Sequence, residues 1–204
     1  MLLSTVIGLV ICFGCGTGTK TQTTVPVSKN ASETESLPTV AYPDFVNWSK
    51  FPEKSFTKRR KVVTNANGEV VVTTRVWLES KSSENVSVGS QITVQRPGMA
   101  IVENEADIVK FPSTFQLPKG LAEEQFYLPS PKAKETGTAS LKIGEKEFKA
   151  TIFEWVESFE AGPTMVKLWR SDEVPGRFLR QELFTKSIET TSVEEVTEVN
   201  LGDD

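Results

Sequence analysis

The side chains that could do chemistry in this chain are mainly carboxylates, because the sequence contains no histidine. Histidine is the commonest general base and metal ligand, so its absence excludes every Ser-His-Asp and Cys-His arrangement. An enzyme would need paired carboxylates such as Glu154, Glu157, Glu160 or Asp172, in the manner of glycoside hydrolases. Glutamates at exposed strand positions are usually only solvated. We therefore expect no catalytic residue and no enzymatic activity.

One acidic segment is a candidate for cation binding. It runs Glu103-Asn104-Glu105-Ala106-Asp107 and so brings three carboxylates close together in the chain. A calcium loop of the EF-hand type also needs a central glycine and a closing bidentate glutamate, and both are missing from this spacing. We therefore expect no metal site, and no motif in the chain predicts a cofactor.

Both cysteines, Cys12 and Cys15, lie at the N-terminal end of the chain. The first 13 residues, MLLSTVIGLVICF, are too few for the roughly 20 that span a bilayer. Their length is typical of the apolar region of a signal peptide. The small residue Gly14 directly precedes Cys15, and this arrangement resembles a bacterial lipobox. The resemblance implies a signal peptide over residues 1–14 and a lipidated Cys15 as the first residue of the mature chain.

The resemblance also implies a location. Gly16, and not aspartate, follows the lipidated cysteine, which by Gram-negative sorting rules indicates a cell-envelope protein of the outer membrane. The membrane, reached through the lipid anchor, is then the first partner. Two alternatives stay open at this point: a plain secretory signal cleaved elsewhere, or a hydrophobic segment of the mature protein. The absence of further cysteines is compatible with export.

Charge argues against nucleic acid as a partner. The formal net charge is −4 and the sequence pI is about 5.2, so the molecule has no overall basic field. The one basic cluster is Lys58-Arg59-Arg60-Lys61. On a strand these side chains point alternately to opposite faces, so only two could act together on one surface. A solvated or edge strand is the main interpretation, and contact with anionic headgroups is the alternative.

Composition divides the rest of the chain into four segments. Residues 15–42 are rich in Gly, Thr, Ser, Lys, Glu and Pro without apolar periodicity, which predicts a disordered tether. Residues 43–110 predict a first β-meander, residues 111–138 a packed, proline-rich crossover, and residues 139–204 a second meander. We expect residues 43–204 to form one domain.

Alternation of apolar residues predicts the strands. Asn67-Gly68 predicts a tight hairpin turn, because a type I′ turn requires positive φ at both central residues. In the second half, Leu141 to Phe184 predicts two long strands, a turn at Ala161-Gly162-Pro163 and a corner at Ser171 to Gly176. Trp169 lies on a strand that is apolar on both faces, so we predict that it is a core residue. The predicted fold class is mainly β, with antiparallel meanders in two halves that form a curved sheet or half-barrel.

The segment from Gly144 to Arg180 resembles part of other bacterial envelope proteins. Its tryptophan, short acidic corner and Pro-Gly pair resemble uncharacterised bacterial envelope proteins, and more remotely the half-barrels of lipoprotein-localisation and lipid-carrier proteins. The resemblance implies structural roles: Trp169 for packing, Asp172 for a local turn bond and Pro175-Gly176 for chain reversal. It carries over no catalytic residue.

Two functions follow as expectations. The first is a non-enzymatic envelope lipoprotein that acts as a structural or interaction module, with envelope proteins as partners. The second is a carrier of lipid or another hydrophobic ligand. In that case a concave face would bind the ligand through Phe153, Trp155, Met165 and Trp169.

The lipobox predicts how the protein is held in the envelope. Two or more acyl chains give stable anchoring. Replacing Cys15 with Ser should therefore move the protein from the membrane fraction to the soluble fraction, as measured by fractionation and immunoblotting. If Cys15→Ser remains in the membrane fraction, the lipidation prediction is wrong.

Overall fold

Most strands of this chain join in one antiparallel sheet. The computed structural model describes residues 37–65 and 68–202, so Cys15 and most of the predicted tether lie outside the described residues. The elements are β1 (Thr39–Ala41), α1 (Pro43–Trp48), β2 (Phe56–Asn65), β3 (Gly68–Lys81), β4 (Asn85–Gln95), β5 (Val102–Glu103), β6 (Asp107–Pro112), β7 (Thr114–Gln116), α2 (Glu123–Tyr127), β8 (Lys134–Ile143), β9 (Lys146–Phe159), β10 (Gly162–Arg170), β11 (Phe178–Thr185) and β12 (Thr190–Asn200).

The order of strands in the sheet confirms the predicted fold class. It is β5-β4-β3-β2-β12-β11-β10-β9-β8, with β6 also paired to β4, and β1 and β7 form a separate pair. Each predicted meander is present, and the pairing of β2 with β12 joins the two into a single curved sheet that does not close. Irregularities in the ladders, such as those after Leu78, Trp169 and Val196, increase the local bend.

The first hairpin is confirmed. Strand β2 ends at Asn65 and strand β3 begins at Gly68, and the register pairs these two residues. Gly68 is therefore the first residue of β3. The two residues between the strands are Ala66 and Asn67, so the prediction that Asn67-Gly68 is the central pair of the turn is wrong. Ala66 and Asn67 lie outside the described part of the chain, and the turn type stays a prediction.

Two segment boundaries differ from those predicted. Thr39–Ala41 was expected in the tether but forms β1, which pairs with β7 and buries Val40. A strand of three residues is too short to give an alternation signal. Strand β8 begins at Lys134, inside the predicted crossover. Gly137 lies at an irregularity in the ladder between β8 and β9, so the apolar alternation that would reveal the start of the strand is interrupted there. The crossover is nevertheless packed, since Leu117 and Ala133 are buried.

The sheet carries two hydrophobic clusters. The first contains Phe148, Ala150, Trp169, Val174 and Leu179, and side chains of β8 and β12 pack against it. Trp169 is only 9% exposed, so the prediction that it is a core residue is confirmed. Its ring is also covered by two cations: Lys167 and Arg180 lie 5.3 and 5.7 Å from the ring centroid.

The second cluster connects α1 to the first meander. It contains Trp48, Leu78, Val86 and Val88, with Phe45 and other side chains partly buried against it. Trp48 is the α1 member, and its apolar burial fixes the helix against β3 and β4. Neither α-helix exceeds six residues, and none in residues 37–65 and 68–202 is long and apolar enough to cross a membrane.

A glycine makes room for one large side chain on the first meander. Gly89 pairs directly with Trp77, and a Cβ atom at position 89 would lie only 2.2 Å from the Trp77 ring. The indole therefore lies across the glycine, and its Nε1 donates a hydrogen bond of 2.6 Å to Glu79. Any side chain at position 89 would displace this ring.

Candidate functional site

The side chain of Asn47 joins α1 to the corner between β10 and β11. Its Nδ2 donates to the carbonyl oxygen of Val174 at 3.2 Å and lies 3.5 Å from that of Asp172. Its Oδ1 accepts a hydrogen bond of 2.7 Å from the backbone N–H of Gly176. Asn47 is 1% exposed, so these bonds are shielded from water. We call this set of contacts the Asn47 clasp.

The corner itself, residues 171–177, is a tight loop whose backbone is hydrogen-bonded by the Asn47 clasp. Gly176 has φ of 76° and Arg177 has φ of 57°, so two consecutive residues occupy the left-handed region. A Cβ atom at position 176 would also lie 3.1 Å from the Trp48 ring. The sequence predicted a turn bond from Asp172. The structure places the Ser171 hydroxyl in that role, because it accepts a 3.2 Å hydrogen bond from the N–H of Glu173.

One face of the sheet lies under α1 and the α2 segment, and we call it the helix-covered face. Three cavities adjoin one another there. The corner cavity, of about 430 Å³, is lined by residues that include Val46, Lys50, Lys149, Thr151 and Glu173. The arginine cavity, of about 350 Å³, is lined by residues that include Arg59, Phe126, Pro129, Arg170, Arg177 and Phe178. The apolar groove, of about 320 Å³, is lined by residues that include Pro129, Pro131, Trp155, Phe159, Val166 and Leu183.

Shared residues show that the cavities lie next to one another along the face. Tyr127, Arg170 and Arg177 line both the corner cavity and the arginine cavity. Pro129 lines both the arginine cavity and the apolar groove. A ligand in the arginine cavity could therefore extend toward a polar opening on one side or an apolar groove on the other.

The arginine cavity brings together cations from separate parts of the chain. Arg59 lies on β2, Arg170 ends β10, and Arg177 is in the corner held by the clasp. The guanidinium of Arg59 stacks over the ring of Phe178, 4.3 Å from its centroid. The register pairs Phe178 with Arg170, so these two side chains lie on the same face of the sheet.

Burial lowers the pKa of two of these arginines. Burial lowers the pKa of Arg59 from its ordinary value, and attraction by Glu194 offsets part of that change. Burial and then the like charge of Arg177 lower the pKa of Arg170 to about 10, while Asp44 and Asp172 act in the opposite direction. Both guanidinium groups stay charged at neutral pH.

The acidic partners of these arginines are few. Arg177 Nη2 forms an ion pair of 3.1 Å with Asp44 on α1. Arg170 Nη1 donates to the Tyr127 carbonyl oxygen at 3.3 Å. The buried Nε atoms of Arg59 and Arg177 have no hydrogen-bond partner within residues 37–65 and 68–202. A buried donor without a partner costs about 1 to 3 kcal/mol, so such atoms need an explanation.

The apolar groove lies between the end of the crossover and strands β9 to β11. Lys132 of the crossover forms a 2.8 Å ion pair with Glu157 of β9, which ties the two sides together beside the groove. The ring of Trp155 is half-buried there, and Phe159 is 47% exposed. Exposed aromatic area beside prolines is a surface that an apolar molecule can cover.

The structure divides the predicted hydrophobic ligand face between the two sides of the sheet. Phe153 pairs with Leu168 and Trp155 with Val166, so both aromatic residues lie on the helix-covered face. Met165 and Trp169 alternate with these partners and lie on the opposite face, where Trp169 is in the core and Met165 is 55% exposed. The prediction that the four line one concave face is therefore wrong, because the sequence does not give the register between the two strands.

The candidate carboxylates do not form a pair. Glu154 and Glu157 point to opposite faces of β9, and each forms an ion pair with a lysine: Glu154 with Lys167 at 3.0 Å, and Glu157 with Lys132. Glu160 is exposed beyond the end of β9. In the acidic segment, Glu103 accepts a hydrogen bond from Gln91. No group of three or more candidate metal ligands occurs in the described ranges.

Sequence reasoning missed the arginine cavity. Arg59 was noticed only as part of the cluster of residues 58–61, and the strand rule correctly separated it from its neighbours. Arg170 lies beside Trp169 in the resemblance motif and Arg177 follows Pro175-Gly176, but neither carried a signal of its own. Their meeting depends on the pairing of β2 with β12, which is a contact between distant parts of the chain.

Comparison with known proteins finds no family model that matches the chain and no matching curated protein. Solved structures with similarity include a candidate exported protein with a YmcC-like fold from Bacteroides fragilis, 9% identical, with a TM-score of 0.44 over 74% of this chain and 97% of that one. A candidate lipoprotein from Parabacteroides distasonis is 10% identical, with the same TM-score and coverage. MucB in complex with MucA(peri) is 14% identical over 79% of this chain and 55% of that one, with a TM-score of 0.41. These similarities are too low to assign a function.

The clasp predicts an effect on stability. Replacing Asn47 with Ala leaves the Gly176 N–H buried without its partner and removes the side-chain bond to the Val174 carbonyl, so the free energy of unfolding should fall by about 2 to 4 kcal/mol. Denaturant unfolding followed by tryptophan fluorescence measures this change. Ser49→Ala is the matched control, because it removes an exposed hydroxyl bond at the end of the same helix and should change stability by no more than about 0.5 kcal/mol. Equal effects of the two substitutions would contradict the role of the clasp.

Proposed function

We propose that this chain is a lipid-anchored protein of the cell envelope whose folded body is a non-enzymatic binding module. The anchor is Cys15, and Gly16 favours the outer membrane. Envelope proteins or lipids are the expected partners, and the acidic net charge disfavours nucleic acid. The observation that carries the binding role is the set of three adjoining cavities on the helix-covered face.

The size and lining of these cavities support binding. Pockets for small molecules have volumes of roughly 300 to 1,000 Å³, with mainly apolar walls and a few placed polar groups. Each cavity falls in this range, and together they combine aromatic rings with guanidinium groups. A sheet face that served only to pack α1 and the crossover would be expected to fill this space with side chains.

The carboxylates support a non-enzymatic role. A general acid at neutral pH needs a raised pKa, which burial or a neighbouring negative charge provides. The hydrogen bond from Lys132, followed by that from the Ser158 N–H, lowers the pKa of Glu157. Glu154, on the other face, is paired with Lys167 and cannot act together with Glu157. The contacts of Glu157 therefore stabilise its ionised form, which is the opposite of what a general acid needs.

A carrier of a hydrophobic ligand is the second candidate function. The apolar groove favours it, because Trp155, Phe159, Val166 and Leu183 line one continuous surface there. This version of the carrier differs from the one expected from sequence, since it uses Trp155 but neither Met165 nor Trp169.

A neutral fluorescent probe tests whether the groove binds apolar molecules. The mature chain with Cys15→Ser, which has no acyl groups to compete, should bind N-phenyl-1-naphthylamine with enhanced fluorescence. Trp155→Ala removes the largest ring of the groove and should weaken this binding about 10-fold or more, a loss typical of a packed aromatic contact.

Met165→Ala is the matched control for this test. Met165 is also apolar and is 55% exposed, but it lies on the opposite face, so its replacement should leave probe affinity unchanged. Trp169→Ala differs from both, because loss of a core tryptophan should cost about 3 to 5 kcal/mol of stability. Absence of probe binding by the parent chain, or equal effects of Trp155→Ala and Met165→Ala, would reject the groove as a binding site.

A further inference from the structure

The arginine cavity has more positive than negative charge on its walls. Arg59, Arg170 and Arg177 line it, and Asp44 is the one acidic residue that lines it with them in the described part of the chain. Asp44 contacts a single nitrogen of Arg177. Glu194 attracts Arg59 but forms no ion pair with it within 4.0 Å among the described residues. The cavity therefore keeps an excess of positive charge at neutral pH.

The unused donors of these arginines are buried. Arg59 Nε and Arg177 Nε lack a hydrogen-bond partner among residues 37–65 and 68–202, although each is inaccessible to water. Guanidinium groups have five N–H donors in a rigid fork that matches the oxygens of a carboxylate or a phosphate. Arginines that served only to stabilise the fold would be expected to have these donors satisfied by the protein.

The backbone at Arg177 supports a ligand-binding role. A non-glycine residue rarely adopts positive φ, and the protein holds Arg177 there through three contacts: the Asp44 ion pair, its N–H bond to the Val174 carbonyl, and its carbonyl bond from the Ser171 N–H. Strained residues of this kind concentrate at ligand-binding sites. This backbone conformation places the guanidinium of Arg177 beside that of Arg170 in spite of the repulsion between the two positive charges. A bound anion would relieve that repulsion.

The surroundings of the cavity indicate what the anion is attached to. Phe126, Leu128 and Leu168 line the cavity beside the arginines, and Pro129 leads from it into the apolar groove. A free inorganic anion would use the arginines but not the apolar walls. An amphiphile would use both, with its charged group at the arginines and its apolar chain along Trp155 and Leu183.

We propose that the arginine cavity binds an anionic oxygen group, a carboxylate or a phosphate, through Arg59, Arg170 and Arg177. This inference rests on the proposed binding function and specifies the chemistry of the ligand. All three side chains line the cavity, and their guanidinium groups supply its positive charge. The attached apolar chain occupies the adjoining groove.

Four probes of matched structure test the proposal by titration calorimetry on the mature chain with Cys15→Ser. Dodecanoate and dodecyl phosphate carry the anionic group on an apolar chain, dodecanol has the chain without the charge, and inorganic phosphate has the charge without the chain. The two anionic amphiphiles should bind at least about 10-fold more tightly than dodecanol, because hydrogen bonds to charged groups are the stronger class.

Substitutions locate the binding to the cavity. Arg59→Gln and Arg170→Gln should each weaken dodecanoate binding by about 10- to 100-fold while leaving dodecanol binding unchanged. Arg60→Gln is the matched control, since it removes the same charge from the adjacent, exposed position of β2 on the other face. Arg59→Lys is a second variant that keeps the charge at position 59 but loses the fork, so it should recover part of the affinity.

Each outcome decides between interpretations. Preference for the anionic amphiphiles, lost in the Arg59 and Arg170 variants but kept in Arg60→Gln, supports the proposal, and binding of inorganic phosphate alone would assign the site to free anions. Equal binding of dodecanol and dodecanoate, or equal effects of Arg59→Gln and Arg60→Gln, would overturn it. The neutral naphthylamine probe is independent of the arginines, so its binding distinguishes failure of this inference from failure of the proposed function.

Discussion

The buried amide of Asn47 is the constraint on which the rest of this structure depends. A single side chain provides both a donor and an acceptor to the corner between β10 and β11, and it does so from a helix more than 120 residues earlier in the chain. The asparagine amide carries a donor and an acceptor in one short planar group, so it satisfies a carbonyl and an N–H at once. Through Trp48, the same helix packs on Leu78, Val86 and Val88. The first meander and the second are thus linked by α1 as well as by the β2 to β12 ladder.

The clasp also explains how a sheet with two packed clusters keeps open space. The corner is fixed by hydrogen bonds and by the buried Val174, so it does not collapse onto the face beneath it. Arg177 is consequently held beside Arg170, and Gly176 lets Arg59 and Trp48 approach the same turn. The cationic cavity therefore follows from the packing of α1. Holding like charges together has an electrostatic cost, which the stability of the whole domain must offset.

The sequence predicted the fold better than the site. Alternating residues in β3 and β9, the Asn-Gly pair and the Pro-Gly corner are local signals, and the antiparallel meanders that they predicted are present. Trp169 was predicted to be in the core for a local reason and lies there. Register is a nonlocal property, so the sequence could not separate Phe153 and Trp155 from Met165 and Trp169. Arg59, Arg170 and Arg177 are far apart in the chain, and no local pattern could predict that they share a cavity.

The central claim is that the guanidinium groups lining the arginine cavity bind an anionic ligand. NMR of the arginine Nε–Hε groups tests it most directly, because it observes the atoms themselves during a titration with dodecanoate. The account predicts that the Nε–Hε resonances of Arg59 and Arg177 shift and saturate together, while those of Arg60 and Arg96, which are exposed, stay unchanged. Uniform small shifts of all four resonances, or no shift at Arg59 and Arg177, would contradict it.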